Sequence, residues 1–147
     1  MTTTQTPTDT PVTTTSTSAI TQNNESVPPA EVNISNVTVE SGGSTVLVVH
    51  ARNIGELHLN SSNHDGIVFE YENATFTPAA TSAVATYPPY WVWNPVQPTV
   101  TIRLPVHTTG NTSVGKYQFS ANAWNTTNHT HENGDADTFV IHVKSTT

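Results

Sequence analysis

Between Glu31 and Val143, outside an irregular segment, short runs bounded by turn residues carry apolar side chains at every second residue, and no stretch shows the three-to-four-residue spacing of an amphipathic helix. A period of two places successive side chains on opposite faces of an extended chain, so each such run has one face to bury. Val32 and Ile34 begin the series, and the phase then shifts to Val37 and Val39, which predicts a bulge or a switch between sheets. Ser41-Gly42-Gly43 reads as a turn, Ser44 to Ala51 as a central strand, Asn53-Ile54-Gly55 as a second turn, and Leu57 with Leu59 as a short third strand. Asn63-His64-Asp65-Gly66 has the composition of a hairpin turn, after which Ile67, Phe69 and Tyr71 alternate. Asn73 to Pro98 reads as irregular. Val100, Ile102 and Leu104 then define a fifth strand that ends at or soon after Pro105. Tyr117, Phe119, Ala121 and Ala123 share a face, and Phe139, Ile141 and Val143 close the series. About seven short strands without a helix predict an all-β, two-sheet sandwich.

The composition breaks near Pro28-Pro29. Before it the chain is mostly Thr, Ser, Gln, Asn and Pro, with Val12, Ile20 and Val27 its sizeable apolar side chains. Such a segment buries too little apolar area to offset its ordering entropy. The expected organisation is therefore a disordered or extended tail, linker or donor strand over residues 1–30 and a sandwich over 31–147. Thr/Ser/Pro richness also suits an O-glycosylated stalk, and the β-branched residues suit a strand added to another subunit, with Val12 and Ile20 as its anchors.

Charge excludes more than it suggests. Four basic against eleven acidic side chains give a net charge of −7, too little positive charge to neutralise phosphates, which argues against a nucleic-acid partner. The absence of cysteine removes disulfides, thiolate metal sites and cysteine nucleophiles. No apolar run is long enough for a membrane-spanning helix. Met1 is followed by Thr2-Thr3-Thr4 rather than a basic and then apolar leader, so no signal peptide is read there, and export would imply a mature form or an added Met.

Two short patterns carry a resemblance. Ser41-Gly42-Gly43-Ser44, its apolar strand and Arg52-Asn53-Ile54-Gly55 resemble the opening of Ig-like domains in archaeal and bacterial surface proteins. Val114-Gly115-Lys116-Tyr117 resembles the G-x-Y start of the Ig strand whose tyrosine forms a corner. The resemblance covers about residues 31–145 and implies an Ig-like sandwich, without the cysteine pair of antibody domains. Together with the composition it is similar to the glycosylated thread and pilus subunits of archaea, some of which assemble by strand donation.

The sequon N-x-[ST] occurs at Asn24, Asn33, Asn36, Asn60, Asn73, Asn111, Asn125 and Asn128, about twice the number that composition alone yields. Most fall in expected turns or near strand ends, where a glycan projects into solvent. His129-Thr130-His131 places two imidazoles on one side of an extended segment, with Asp135 and Asp137 nearby, a pattern suited to Zn²⁺ or Cu²⁺; His64 or His107 enters as a third ligand by elimination. Glu132, Asn133, Asp135 and Asp137 also offer oxygen ligands for Ca²⁺, at a spacing unlike an EF-hand. His50 and His142 fall within strands and read as sheet-face side chains. Tyr87, Tyr90, Trp91 and Trp93, set among prolines, suit a plug at the end of the sandwich, a subunit contact or a sugar-stacking platform. No nucleophile elbow, Walker loop or HExxH is present, and Glu70 with Glu72 reads as a solvated strand face.

The sequence thus predicts a non-enzymatic, N-glycosylated structural protein outside the cell or on its surface, self-associating into a filament or layer, with no cofactor. Two alternatives stand beside it: a carbohydrate-binding or adhesin module using residues 87–95, and a surface metal-binding protein using His129 and His131.

Overall fold

A computed structural model describes residues 28–61, 66–84, 89–127 and 129–146. The expectations for the N-terminal segment, including Val12, Ile20 and Asn24, and for His64, Tyr87 and Asn128, lie outside the described residues. The described residues form nine strands: β1 (Glu31–Ile34), β2 (Val37–Glu40), β3 (Ser44–Asn60), β4 (Ile67–Phe69), β5 (Thr75–Thr77), β6 (Ser82–Val84), β7 (Tyr90–Thr108), β8 (Gly115–Trp124) and β9 (Gly134–Lys144). The one helical element among the described residues is a single 3-10 turn, Tyr71–Asn73. Among the described residues no helix is long and apolar enough to cross a membrane.

The chain builds an Ig-like β-sandwich in which two long strands serve both layers. In one layer, the first part of β3 pairs antiparallel with β1 and with the second part of β7, which also carries β4 and β5. In the other, the order runs from β2 through β9 and β8 to the end of β3 and the start of β7, with β6 beyond. The phase shift between Ile34 and Val37 is the switch between layers: β1 pairs antiparallel with β3, whereas β2 pairs parallel with β9. Where β2 begins, Asn36 Oδ1 accepts the Val140 amide at 2.7 Å.

The alternating residues meet in register. Leu47 lies opposite Leu104 and Val49 opposite Ile102, all buried. Phe119 faces Phe139 with ring centroids 5.5 Å apart, and Phe69 of the other layer meets Phe119 edge-on at 5.1 Å. Tyr117 forms the expected corner: its hydroxyl donates to the Ser113 carbonyl at 2.7 Å.

Four local expectations differ. β4 ends at Phe69, so Tyr71 and Glu72 lie in the 3-10 turn and Glu70 just before it rather than on that strand. Asn53-Ile54-Gly55 is not a turn between strands but a bulge inside β3, with the register shifting between Ile54 and Glu56 and Asn53 at φ 52°. Leu57 and Leu59 therefore continue β3. The stretch from Asn73 to Pro98 contains β5, β6 and the first part of β7. β7 also runs through Pro105 to Thr108. The Pro105 carbonyl accepts the Glu70 amide at 2.9 Å, so its nitrogen faces the same side, just past the end of β4, where the missing N–H breaks no ladder.

Candidate metal centre

The bulge in β3 resets which residues face the core. Leu57 and Leu59 point inward, so Glu56 and His58 share the outer face of the layer formed with β8 and β7. Opposite them in register stand Trp124 and Asn122 of β8 and Val92 and Tyr90 of β7. An outer-face glutamate is ordinarily solvated, yet Glu56 is 0% exposed. It is covered by the connection between β8 and β9, which crosses the bulge at Gly55. A Cβ there would lie 2.6 Å from the Thr126 carbonyl oxygen, so only glycine admits the crossing.

This connection has an unusual backbone. His129, His131 and Asn133 all adopt positive φ, at 62°, 56° and 53°. Left-handed conformations cost energy for residues with a Cβ, and they cluster where a site over-determines them. Here they aim both imidazoles at Glu56. His129 Nδ1 lies 2.9 Å and His131 Nε2 3.2 Å from Glu56 Oε2, and His58 Nε2 hydrogen-bonds the same oxygen. The other oxygen, Oε1, accepts the His129 backbone amide at 3.2 Å. One carboxylate oxygen is thus anchored to the backbone while its partner faces three rings.

Aromatic packing fixes those rings. Trp124 stacks on His131, with centroids 4.0 Å apart at 20°, and meets His58 edge-on at 4.9 Å. Tyr90 stacks on His58 at 5.1 Å and meets His129 edge-on at 5.3 Å. Gly134 is required opposite Trp124, since a Cβ would fall 2.5 Å from the indole Cδ1.

Burial works to raise the pKa of the Glu56 carboxyl, but hydrogen bonds from His58, His129 and His131 outweigh it and hold the pKa below the ordinary carboxylate value. Among the described residues its ion-pair partners are these three histidines, with no Lys or Arg. The four ligand atoms lie within 4.8 Å of one another. Tetrahedral bonds of about 2.0–2.1 Å set ligand atoms roughly 3.3 Å apart, so the His129 and His131 nitrogens stand within a few tenths of an ångström of that separation from Oε2. Three imidazoles and one carboxylate suit Zn²⁺, Cu²⁺, Ni²⁺ or Fe²⁺ rather than Ca²⁺ or Mg²⁺. The floor is closed by Glu56, whereas the His129 and His131 side chains remain 55% and 39% exposed, which leaves an approach from solvent.

The other expected site residues are dispersed. Asp135 and Asp137 do not join the histidines: their Oδ2 atoms accept the Val32 and Ile34 amides of β1 at 3.0 and 2.8 Å. His107 is also elsewhere, 3.1 Å from Glu70, whose pKa is lowered by that hydrogen bond and one from Asn73. His50 is exposed and His142 half-buried, both on outer sheet faces. Trp91 and Trp93 are 2% and 1% exposed and pack around Phe76, closing the core rather than presenting a contact surface or sugar platform. Tyr90 serves the histidine cluster. Of the sequons, Asn33, Asn36, Asn60, Asn73 and Asn111 are exposed. Asn125 is buried, and its Nδ2 donates to the Pro28 carbonyl at 2.8 Å.

No family model matches the chain, and no curated protein matches it. Solved structures align over most of its length at low identity. The seventh ScaB type I cohesin of Pseudobacteroides cellulosolvens is 14% identical with a TM-score of 0.49, covering 80% of this chain and 94% of the cohesin. AggA, the major subunit of an Escherichia coli aggregative adherence fimbria, is 12% identical with a TM-score of 0.45, covering 79% and 95%. A non-cellulosomal cohesin of Archaeoglobus fulgidus is 6% identical with a TM-score of 0.45, covering 80% and 92%.

The residues missed by sequence reasoning are Glu56 and His58. Their signal is the spacing Glu56-Leu57-His58-Leu59, which puts a carboxylate and an imidazole on one strand face, whereas His129-Thr130-His131 is not the extended segment expected and owes its aim to left-handed backbone.

Proposed function

We propose that this chain is a metal-binding β-sandwich domain that holds one first-row transition-metal ion through Glu56, His58, His129 and His131. One observation carries the reading: a fully buried carboxylate directs a single oxygen at three imidazoles, with aromatic rings fixing their planes. Three histidines and a carboxylate otherwise have little reason to gather at the expense of three left-handed residues. Calorimetric titration of the metal-free chain with Zn²⁺, Cu²⁺ and Ni²⁺ tests it. One ion per chain is expected, with binding lost in His129→Ala and Glu56→Gln. No stoichiometric binding of any of the three would overturn the assignment.

The setting of that site is a glycosylated, non-enzymatic building block of an extracellular filament or surface layer, with the domain over residues 31–147 and the preceding segment a linker or donor strand. Its support is the exposure of Asn33, Asn36, Asn60, Asn73 and Asn111 on separate strands and turns of the sandwich. Intact mass of the native protein tests glycan attachment. Sedimentation with and without residues 2–30 tests polymerisation, and a monomer unaffected by truncation would dispose of the donor-strand role.

A further inference from the structure

The two segments that carry the four ligands also hold the start of the sandwich. On β3, Asn53 lies three residues before Glu56, and its Nδ2 donates to the Pro29 carbonyl at 3.3 Å. In the β8–β9 connection, Asn125 Nδ2 donates to the Pro28 carbonyl at 2.8 Å, and the Asn133 carbonyl accepts the Ala30 amide at 2.9 Å. Just beyond it, Asp135 accepts the Val32 amide and Asp137 the Ile34 amide. β1 therefore has a backbone ladder to β3 on one side and, on the other, contacts belonging to the histidine-bearing connection and the start of β9.

We infer that metal binding to Glu56, His58, His129 and His131 clamps residues 28–34 into the domain, so that the ion controls how firmly the N-terminal segment is seated. The inference rests on the metal-binding reading. An ion bonded to both β3 and the connection fixes the distance between them, and that distance sets whether Asn53, Asn125 and Asn133 can hold the same short segment together. Without the ion, the strained backbone at 129–133 is restrained by hydrogen bonds and ring stacking alone. By linkage the coupling is reciprocal: if the ion favours the seated state of residues 28–34 by a given factor, unseating them weakens the ion by that same factor.

Amide hydrogen exchange followed by NMR on the full chain, with and without Zn²⁺ and after calorimetry has measured binding, tests this. Zn²⁺ is expected to slow exchange of the Ala30, Val32 and Ile34 amides by at least about five-fold, in line with ordinary coupling energies. The Thr108 amide, bonded to the Gly43 carbonyl at 2.9 Å near the opposite end of β3, serves as the control and should change much less. Asn125→Ala and Asp135→Ala alter no ligand, and each should weaken Zn²⁺ affinity while leaving the circular-dichroism spectrum unchanged. Zn²⁺ binding with uniform slowing that includes Thr108, or with no slowing, or with unaltered affinity in both variants, overturns the clamp and leaves the metal site standing. Absence of Zn²⁺ binding overturns both.

Discussion

Substituting Gly55 by alanine tests the candidate centre without touching a ligand. The added Cβ falls 2.6 Å from the Thr126 carbonyl oxygen, 2.8 Å from its carbon and 3.1 Å from its nitrogen. All three are backbone atoms, so no side-chain rotation relieves the clash. Restoring tolerable contact requires the connection to retreat from β3 by about 0.4–0.8 Å, against a tolerance of about 0.2 Å in metal–ligand distances. His129 and His131 ride on that connection, whereas Glu56 and His58 stay with the strand. The predicted result is a fall in Zn²⁺ affinity of roughly 10- to 100-fold, comparable with losing a supporting contact around a metal site. Because Gly→Ala at a compatible backbone position ordinarily stabilises by about 0.4–1 kcal/mol, a metal-free variant less stable than the parent reports the clash directly. Competition against a chromogenic chelator gives the affinity, and urea unfolding in excess chelator gives the stability. A variant that binds Zn²⁺ as tightly as the parent would refute the claim that contact at Gly55 sets the site's geometry.

The remaining predictions concern stability. In excess chelator, Glu56→Gln should cost about 1–3 kcal/mol near neutral pH, the scale for charged hydrogen bonds lost from a buried group. The folded pKa of Glu56 is depressed, so its contribution is present above the ordinary carboxylate pKa and is lost as pH falls through the folded value; the gap between parent and variant in urea unfolding should narrow in acid, and a constant gap would count against the assignment. Trp91→Ala removes a side chain that is 2% exposed and should cost about 3–5 kcal/mol, whereas a loss below about 1 kcal/mol would mean the ring does not fill the core. Tyr117→Phe should cost about 0.5–1.5 kcal/mol through the bond to Ser113, and an unchanged denaturation midpoint would deny the tyrosine corner a stabilising role.

Where the fold was legible in the sequence, the signal was local. Val32 and Ile34 are out of phase with Val37 and Val39, which requires a bulge or a switch between sheets, and the pairing of β1 with β3 and of β2 with β9 makes it the switch. Gly115-Lys116-Tyr117 similarly carries its corner within a few residues. Asn53-Ile54-Gly55 misled because a bulge and a turn recruit the same residues: both need a position tolerant of left-handed φ, and only pairing with distant strands decides whether the chain reverses or continues. The irregular reading of Asn73–Pro98 failed for a related reason. Proline suppresses local strand propensity, but β7 carries Pro95 and Pro98 near the point where it passes from one layer to the other, and Pro105 beyond the end of β4.

The site was half legible, and the missing half follows from burial. His129 and His131 announce themselves as a pair, but Glu56 and His58 lie on a strand whose inward residues are Leu57 and Leu59, and alternation alone assigns them to solvent. What buries Glu56 is a connection from the far end of the sequence, held in a conformation its own residues do not favour. Three left-handed non-glycine residues cost on the order of 1 kcal/mol or more each. Trp124 stacking on His131, the Glu56 hydrogen bonds to both histidines and the Asn133 bond to Ala30 offset that strain. The offsetting contacts are the site on one side and the seat of β1 on the other, so losing either set removes part of what holds the backbone that aims the histidines. For that reason the centre and the N-terminal segment should respond together to any change in either.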